Sequence, residues 1–187
     1  MMSLIVLCPP SAAVGGLESR AAETQVAEAQ IAEATVRTLS AFVSAAVRGL
    51  VREAVLVGPP QIRLGYIADH AGCAFVEAKT EADGIAQAFP LARAAHLFIV
   101  RAGYVPETGF AEAIEDLLRF GKAETRGWLL RGEPARPIEK ILTHLVQPAA
   151  LLAPRRLCLN VKAPSFTALA KAVHARPANG IRLRRVA

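Results

Sequence analysis

No acid occurs in the last 48 residues of this 187-residue chain. Nine Lys and Arg stand there unopposed, from Lys140 to Arg185, whereas residues 1–139 set 13 cations against all 16 acids. The net charge of +6 therefore belongs to the C-terminal quarter, which asks for an anionic neighbour. Aromatic residues are scarce as well, 5% of the chain and none after Phe166. Without rings between the cations there is no platform for stacking bases, so nucleic acid is not the expected partner. An anionic membrane surface, a protein partner or a phosphate ligand is. Arg155, Arg156, Arg182, Arg184 and Arg185 form the surface that would meet it, and a homodimer is the arrangement that would bury it.

Other absences narrow the class. Three cysteines (Cys8, Cys73, Cys158) show no CxxC spacing. They read as buried free thiols in a reducing cytoplasm, which excludes a disulfide framework. No apolar run approaches the ~20 residues of a membrane span. The opening MMSLIVLCPP lacks a basic n-region and breaks at Pro9, so it reads as a first strand and not as a signal peptide. Location in the cytoplasm is expected, with peripheral attachment to the inner membrane as the alternative. His70, His96, His144 and His174 lack metal-ligand spacing. Neither GxGxxG nor GxxxxGK[ST] nor GxSxG is present, so dinucleotide, P-loop and serine-hydrolase chemistry are not signalled. The acids Glu112, Glu115 and Asp116 read as one solvated helix face.

What the chain does hold is an alternation of strands and helices. Leu4–Cys8, Glu53–Val57, Cys73–Glu77, Leu97–Val100, Trp128–Arg131, Leu151–Ala153 and Ile181–Val186 read as strands. Helices are expected over residues 19–48, 64–71, 82–95 with an interruption at Pro90, 108–120, 138–146 and 165–175. Along the first helix Ile31, Thr35, Leu39, Phe42, Val43, Ala46, Val47 and Leu50 share one face. This order predicts one α/β domain over residues 1–187, a three-layer sandwich with a mostly parallel sheet.

The order of segments also resembles a known family. "TVRTLSAFVSAAVRGLVREAVLVGPP" is similar to the first helix and second strand of small bacterial family-2 glycosyltransferases. "IADHAGCAFVEA" resembles their next helix-Gly-strand unit, and "GIAQAFPLARAAHLFIVRAG" the helix and strand that lead to the metal-binding acid. "YVPETGF" resembles their loop ending in Pro-Gly-Trp. "ALLAPRRLCLNV" and "APSFTALAKAVHARPANGIRLRRV" resemble the acceptor-side strand and helix and the closing helix and strand. The resemblance covers residues 30–187 and implies a GT-A fold, a nucleotide-sugar-binding α/β sandwich.

Carried over position by position, the family's functional residues are missing. The donor-binding acid of strand two falls on Gly58. The metal-binding motif falls on Arg101-Ala102-Gly103, with Gly103 where the carboxylate should stand. The Glu-Asp pair that supplies the base falls on Ser165-Phe166. Pro9, Gly58, Arg93, Arg101 and Gly103 remain as the positions at which a nucleotide-sugar or other phosphate ligand would meet the chain. No catalytic residue, metal ligand or divalent metal is expected, because Mg²⁺ and Mn²⁺ require hard oxygen donors. Two readings follow. The chain is a degenerate glycosyltransferase with a binding or interaction role, a pseudoenzyme. Alternatively it is a metal-independent glycosyltransferase in which Arg101, with Arg93, grips the diphosphate in place of the metal.

Overall fold

A computed structural model describes residues 1–9, 19–121, 124–133 and 148–186. Eight strands form one sheet: β1 (Met2–Leu7), β2 (Val51–Gly58), β3 (Ala74–Glu77), β4 (His96–Arg101), β5 (Tyr104–Pro106), β6 (Trp128–Gly132), β7 (Pro148–Pro154) and β8 (Arg176–Arg185). Their order across the sheet is β3-β2-β1-β4-β7-β6-β8-β5. The β1–β2, β2–β3, β1–β4 and β6–β8 pairs are parallel, while β7 runs antiparallel to both β4 and β6. Because β7 reverses direction between them, β4 and β6 point the same way. The carboxyl ends of β1, β2, β4, β6 and β8 therefore share one edge.

Helices cover both faces. One face carries α1 (Ser19–Ala41), α2 (Val43–Val47), α3 (Ile62–Ala71) and α5 (Phe110–Phe120), packed on Leu4, Val6, Phe98 and Val100. The other carries α4 (Glu81–Ala88), α6 (Arg155–Cys158) and α7 (Phe166–Ala172), packed on Ile5, Leu7, Leu97 and Ile99. With both faces covered, β1 is buried at every residue, so its sequence MSLIVL is a nearly unbroken apolar run. The expected three-layer sandwich with a mostly parallel sheet is the architecture found.

Several local expectations are corrected. The first helix ends at Ala41, and the chain turns at Phe42 before α2. Phe42 completes a three-ring cluster with Phe98 and Phe110, its ring centroid 5.5 Å from each. That turn rotates Val43 and Val47 into solvent, off the face they were assigned. Helix α4 stops at Ala88, ahead of Pro90. The turn beyond it is held by Arg155, whose guanidinium donates to the carbonyls of Ala92 (2.6 Å) and Phe89 (3.2 Å). Residues 104–106, in the stretch that resembles a family loop, form strand β5 instead, paired with β8. The helix expected at 138–146 lies outside the described residues. Among the described residues no helix is long and apolar enough to cross a membrane.

Candidate functional site

In open α/β sheets ligands bind beyond the carboxyl ends of the strands, where the chain connections separate. Here those ends bring together Leu7–Pro9 of β1, Gly58 and Pro59 of β2, the β3–α4 connection from Ala78 to Glu81, and Arg101 of β4. Of the donor-binding candidates, Pro9, Gly58 and Arg101 meet in this cleft, with Gly103 one turn beyond.

The cleft encloses only about 80 Å³, well under the ~300 Å³ at which small-molecule pockets begin. The side chain of Arg101 lines it. Its Nη1 lies 3.3 Å from Oε2 of Glu81, and its guanidinium carbon stands 5.1 Å from the centroid of the Phe166 ring. The other Glu81 oxygen, Oε1, accepts a hydrogen bond from the Phe166 N–H at 2.7 Å. One carboxylate thus ties the tip of β4 to the first turn of α7. Ser165 caps that helix, its hydroxyl oxygen accepting from the Ala168 N–H at 3.2 Å. Phe166 is buried in the core. The two positions at which the family resemblance expects a catalytic base are therefore a helix cap and a core ring under a cation.

Neighbouring positions are just as fully committed. A Cβ at Gly58 would sit 2.8 Å from Leu64 Cδ1 and 3.1 Å from Cys8 Cβ, so core packing takes the space that an acid would need. Burial pushes the Cys8 thiol up to about 11, against the lowering effect of the Thr35 hydroxyl 3.2 Å away, so it is no nucleophile at neutral pH. Gly103 forms the β4–β5 turn with φ +90, a backbone conformation that favours glycine. Its N–H donates to the buried Thr38 hydroxyl of α1 at 2.9 Å, and its carbonyl accepts from the Val186 N–H at 2.8 Å.

A divalent ion does not fit this donor set. Among the described residues, the β4 tip offers a cation, an alanine and a glycine, and the carboxylate lining the cleft, Glu81, is shared between Arg101 and a backbone amide. Among the described residues no three His, Cys, Asp or Glu converge.

Arg93 lies elsewhere. It precedes β4, and its backbone N–H donates to Glu53 Oε1 at 2.7 Å at the opposite edge of the sheet. The basic surface candidates also divide. Arg155 serves the Phe89–Ala92 turn, and Arg156 donates to the Glu124 carbonyl at 2.8 Å. Arg182, Arg184 and Arg185 are exposed on β8. The residue that sequence reasoning missed is Glu81. Its only signal is "TEAD", where Thr80 caps α4 through the Asp83 N–H. An acid in a helix's first turn is so commonly explained by the helix dipole that it draws no notice.

No protein-family model and no curated protein matches the sequence. The solved structures define the class: the fold is GT-A-like, that of nucleotide-sugar and nucleotidyl transferases. Glucosyl-3-phosphoglycerate synthase from Mycobacterium tuberculosis, in complex with phosphoglyceric acid, has a TM-score of 0.59 at 13% identity, covering 98% of this chain and 71% of the synthase. The inositol-1-phosphate CTP transferase from T. maritima has a TM-score of 0.60 at 13% identity, covering 100% and 89%. Bifunctional IspDF from Campylobacter jejuni has 0.53 at 14%, covering 99% and 49%. Against the synthase in complex with Mn²⁺, UDP and glucosyl-3-phosphoglycerate, the chain spans 63% of that protein's length. At these identities the likeness is one of fold.

Proposed function

We propose that this chain is a GT-A-like protein with a binding or interaction role and no sugar-transfer activity. The observation that carries the reading is the Arg101–Glu81–Phe166 contact. In a complex of one structural relative, UDP and Mn²⁺ are bound together. Here the cleft at the strand ends is lined by Arg101 and Glu81, paired with each other, with the guanidinium over a core ring. A transferase of this fold must stabilise a departing diphosphate and deprotonate an acceptor. For the first task the described β4 tip offers no carboxylate to hold a metal, and the positions at which the family resemblance expects the base are a helix cap and a phenylalanine.

A screen of UDP-, GDP- and dTDP-sugars and of CTP, read by released nucleoside diphosphate or pyrophosphate, tests this. No turnover is expected, with or without Mn²⁺. Turnover that disappears in Arg101→Ala would establish the metal-independent reading instead.

A further inference from the structure

On the α1 side of the sheet, helices α1 and α2 stand apart from α3 and leave a groove of about 640 Å³. Small side chains line it where larger ones would fill the gap: Ser40 and Ala46 on one wall, Ala71 and Cys73 on the other, Ala54 on the floor. Val36, Val43 and Tyr66 form its rim, and Val47 and Ile62 extend that rim by one turn of α2 and α3. These five make up half of the ten exposed large hydrophobic side chains among the described residues. Apolar side chains exposed singly need no explanation, but a cluster marks a contact surface. The groove shares no residue with the cleft at the strand ends. It is lined by none of the C-terminal cations at which a homodimer was expected.

The outer face of α3 carries charges that its own helix does not explain. Ile62, Arg63, Tyr66, Asp69 and His70 are exposed and fall within about a third of the helix circumference. Arg63 stands in the first turn and Asp69 in the last, each at the end of the helix dipole that disfavours it. Among the described residues neither makes an ion pair. Both lie three residues from Tyr66, about 4.5 Å along the axis on either side. A second α3 laid antiparallel across the first at Tyr66 brings Arg63 of each copy to the partner's Asp69. Each charge then also meets the end of the neighbouring dipole that favours it.

We propose that this chain forms a homodimer through the face of α1, α2 and α3, with the two α3 helices antiparallel about a two-fold axis at Tyr66. This goes beyond the reading above and does not depend on whether sugar transfer survives. A two-fold contact joins a patch to itself, so the patch must hold both members of every pair. This one does, setting Arg63 against Asp69 and the projecting Ile62 and Tyr66 beside an apolar groove. An apolar helix of another protein would suit the groove but leaves the order Arg63, Tyr66, Asp69 without a cause. A membrane-binding face is rich in Lys and Arg, whereas here an acid stands with the cation.

Sedimentation velocity of the full chain over a range of concentrations is the test. A monomer–dimer equilibrium with a dissociation constant below about 100 μM is expected. Tyr66→Glu should weaken it at least about tenfold, whereas Leu159→Glu, exposed beyond α6 on the opposite face of the sheet, should not. Arg63→Asp and Asp69→Arg should each weaken it at least about fivefold by setting like charges opposite one another. Combined in one chain, the two reversals should restore association to within about twofold of the wild type. Both reversals suit the dipole of α3 itself, so a dimer lost through them is not lost through unfolding, and melting curves verify this for every variant. A chain that stays monomeric, whether or not it takes up a fluorescent fatty acid or anionic vesicles at the groove, would overturn the proposal. So would a dimer that Tyr66→Glu leaves intact, equal loss in Leu159→Glu, or a double reversal that restores nothing.

Discussion

Glu53 illustrates how one side chain can hold two distant segments together. Its Oε1 accepts from the Ser3 hydroxyl and from the N–H groups of Arg93 (2.7 Å) and Ala94 (3.0 Å), fastening β1, β2 and the approach to β4 at their amino ends. Burial would push its carboxyl up, but the Ser3 hydroxyl, the two amides and Arg52 hold it below the ordinary value. A lowered folded value means that the unfolded chain takes up the proton first. The resulting stability is fully present above about pH 4.3 and is lost as the pH falls through the folded value. Glu53→Ala should cost about 2–3 kcal/mol by chemical denaturation at pH 7, and Glu53→Gln should flatten the acid limb of stability against pH. None of this is legible in the sequence, where Glu53 is simply the acid of "VRE". Arg93 and Arg101 show the same limit. Eight positions apart in sequence, they flank β4, whose six residues separate its ends by about 20 Å.

At the scale of elements, β1, β2 and β4 were legible because a strand covered on both faces needs an apolar run. The turn at Phe42 was not. No glycine or proline marks it, and its cause is the ring cluster with Phe98 and Phe110, which only the folded chain assembles. Strand β5 is three residues long and exists by pairing with β8, so no local pattern announces it. What fixes it against α1 is Thr38. The hydroxyl accepts from the Gly103 N–H and donates to the Tyr104 carbonyl at 3.2 Å. Thr38→Val preserves the shape and removes both bonds, leaving a buried amide without its partner. The variant should lose about 1–3 kcal/mol, and the Gly103 amide should exchange its hydrogen faster than in the wild type. A role for Thr38 confined to packing would leave that exchange unchanged.

For the molecule as a whole, the alternation of elements pointed to the layered fold. The missing acids pointed to an altered site, but not to what fills it. Arg101's two partners, Glu81 and Phe166, come from the starts of α4 and α7, 85 residues apart in the chain. Sheet order depends on similarly remote pairing, and β8 is the extreme case. It lies between β6 and β5, is the one strand paired with β5 among the described residues, and contributes Ile181 and Leu183 to the core. A chain cut before Arg176 should therefore lose its cooperative unfolding transition and bind a hydrophobic dye, both measurable on residues 1–175. The placement of β8 has a further bearing on the order of events in the cell. While the chain is still on the ribosome, β1 to β4 can pair as they emerge, but β5 must wait with its edge open until β8 leaves the exit tunnel. Until β8 emerges this sheet stands incomplete, and the growing chain is most exposed to chaperones and proteases in that interval.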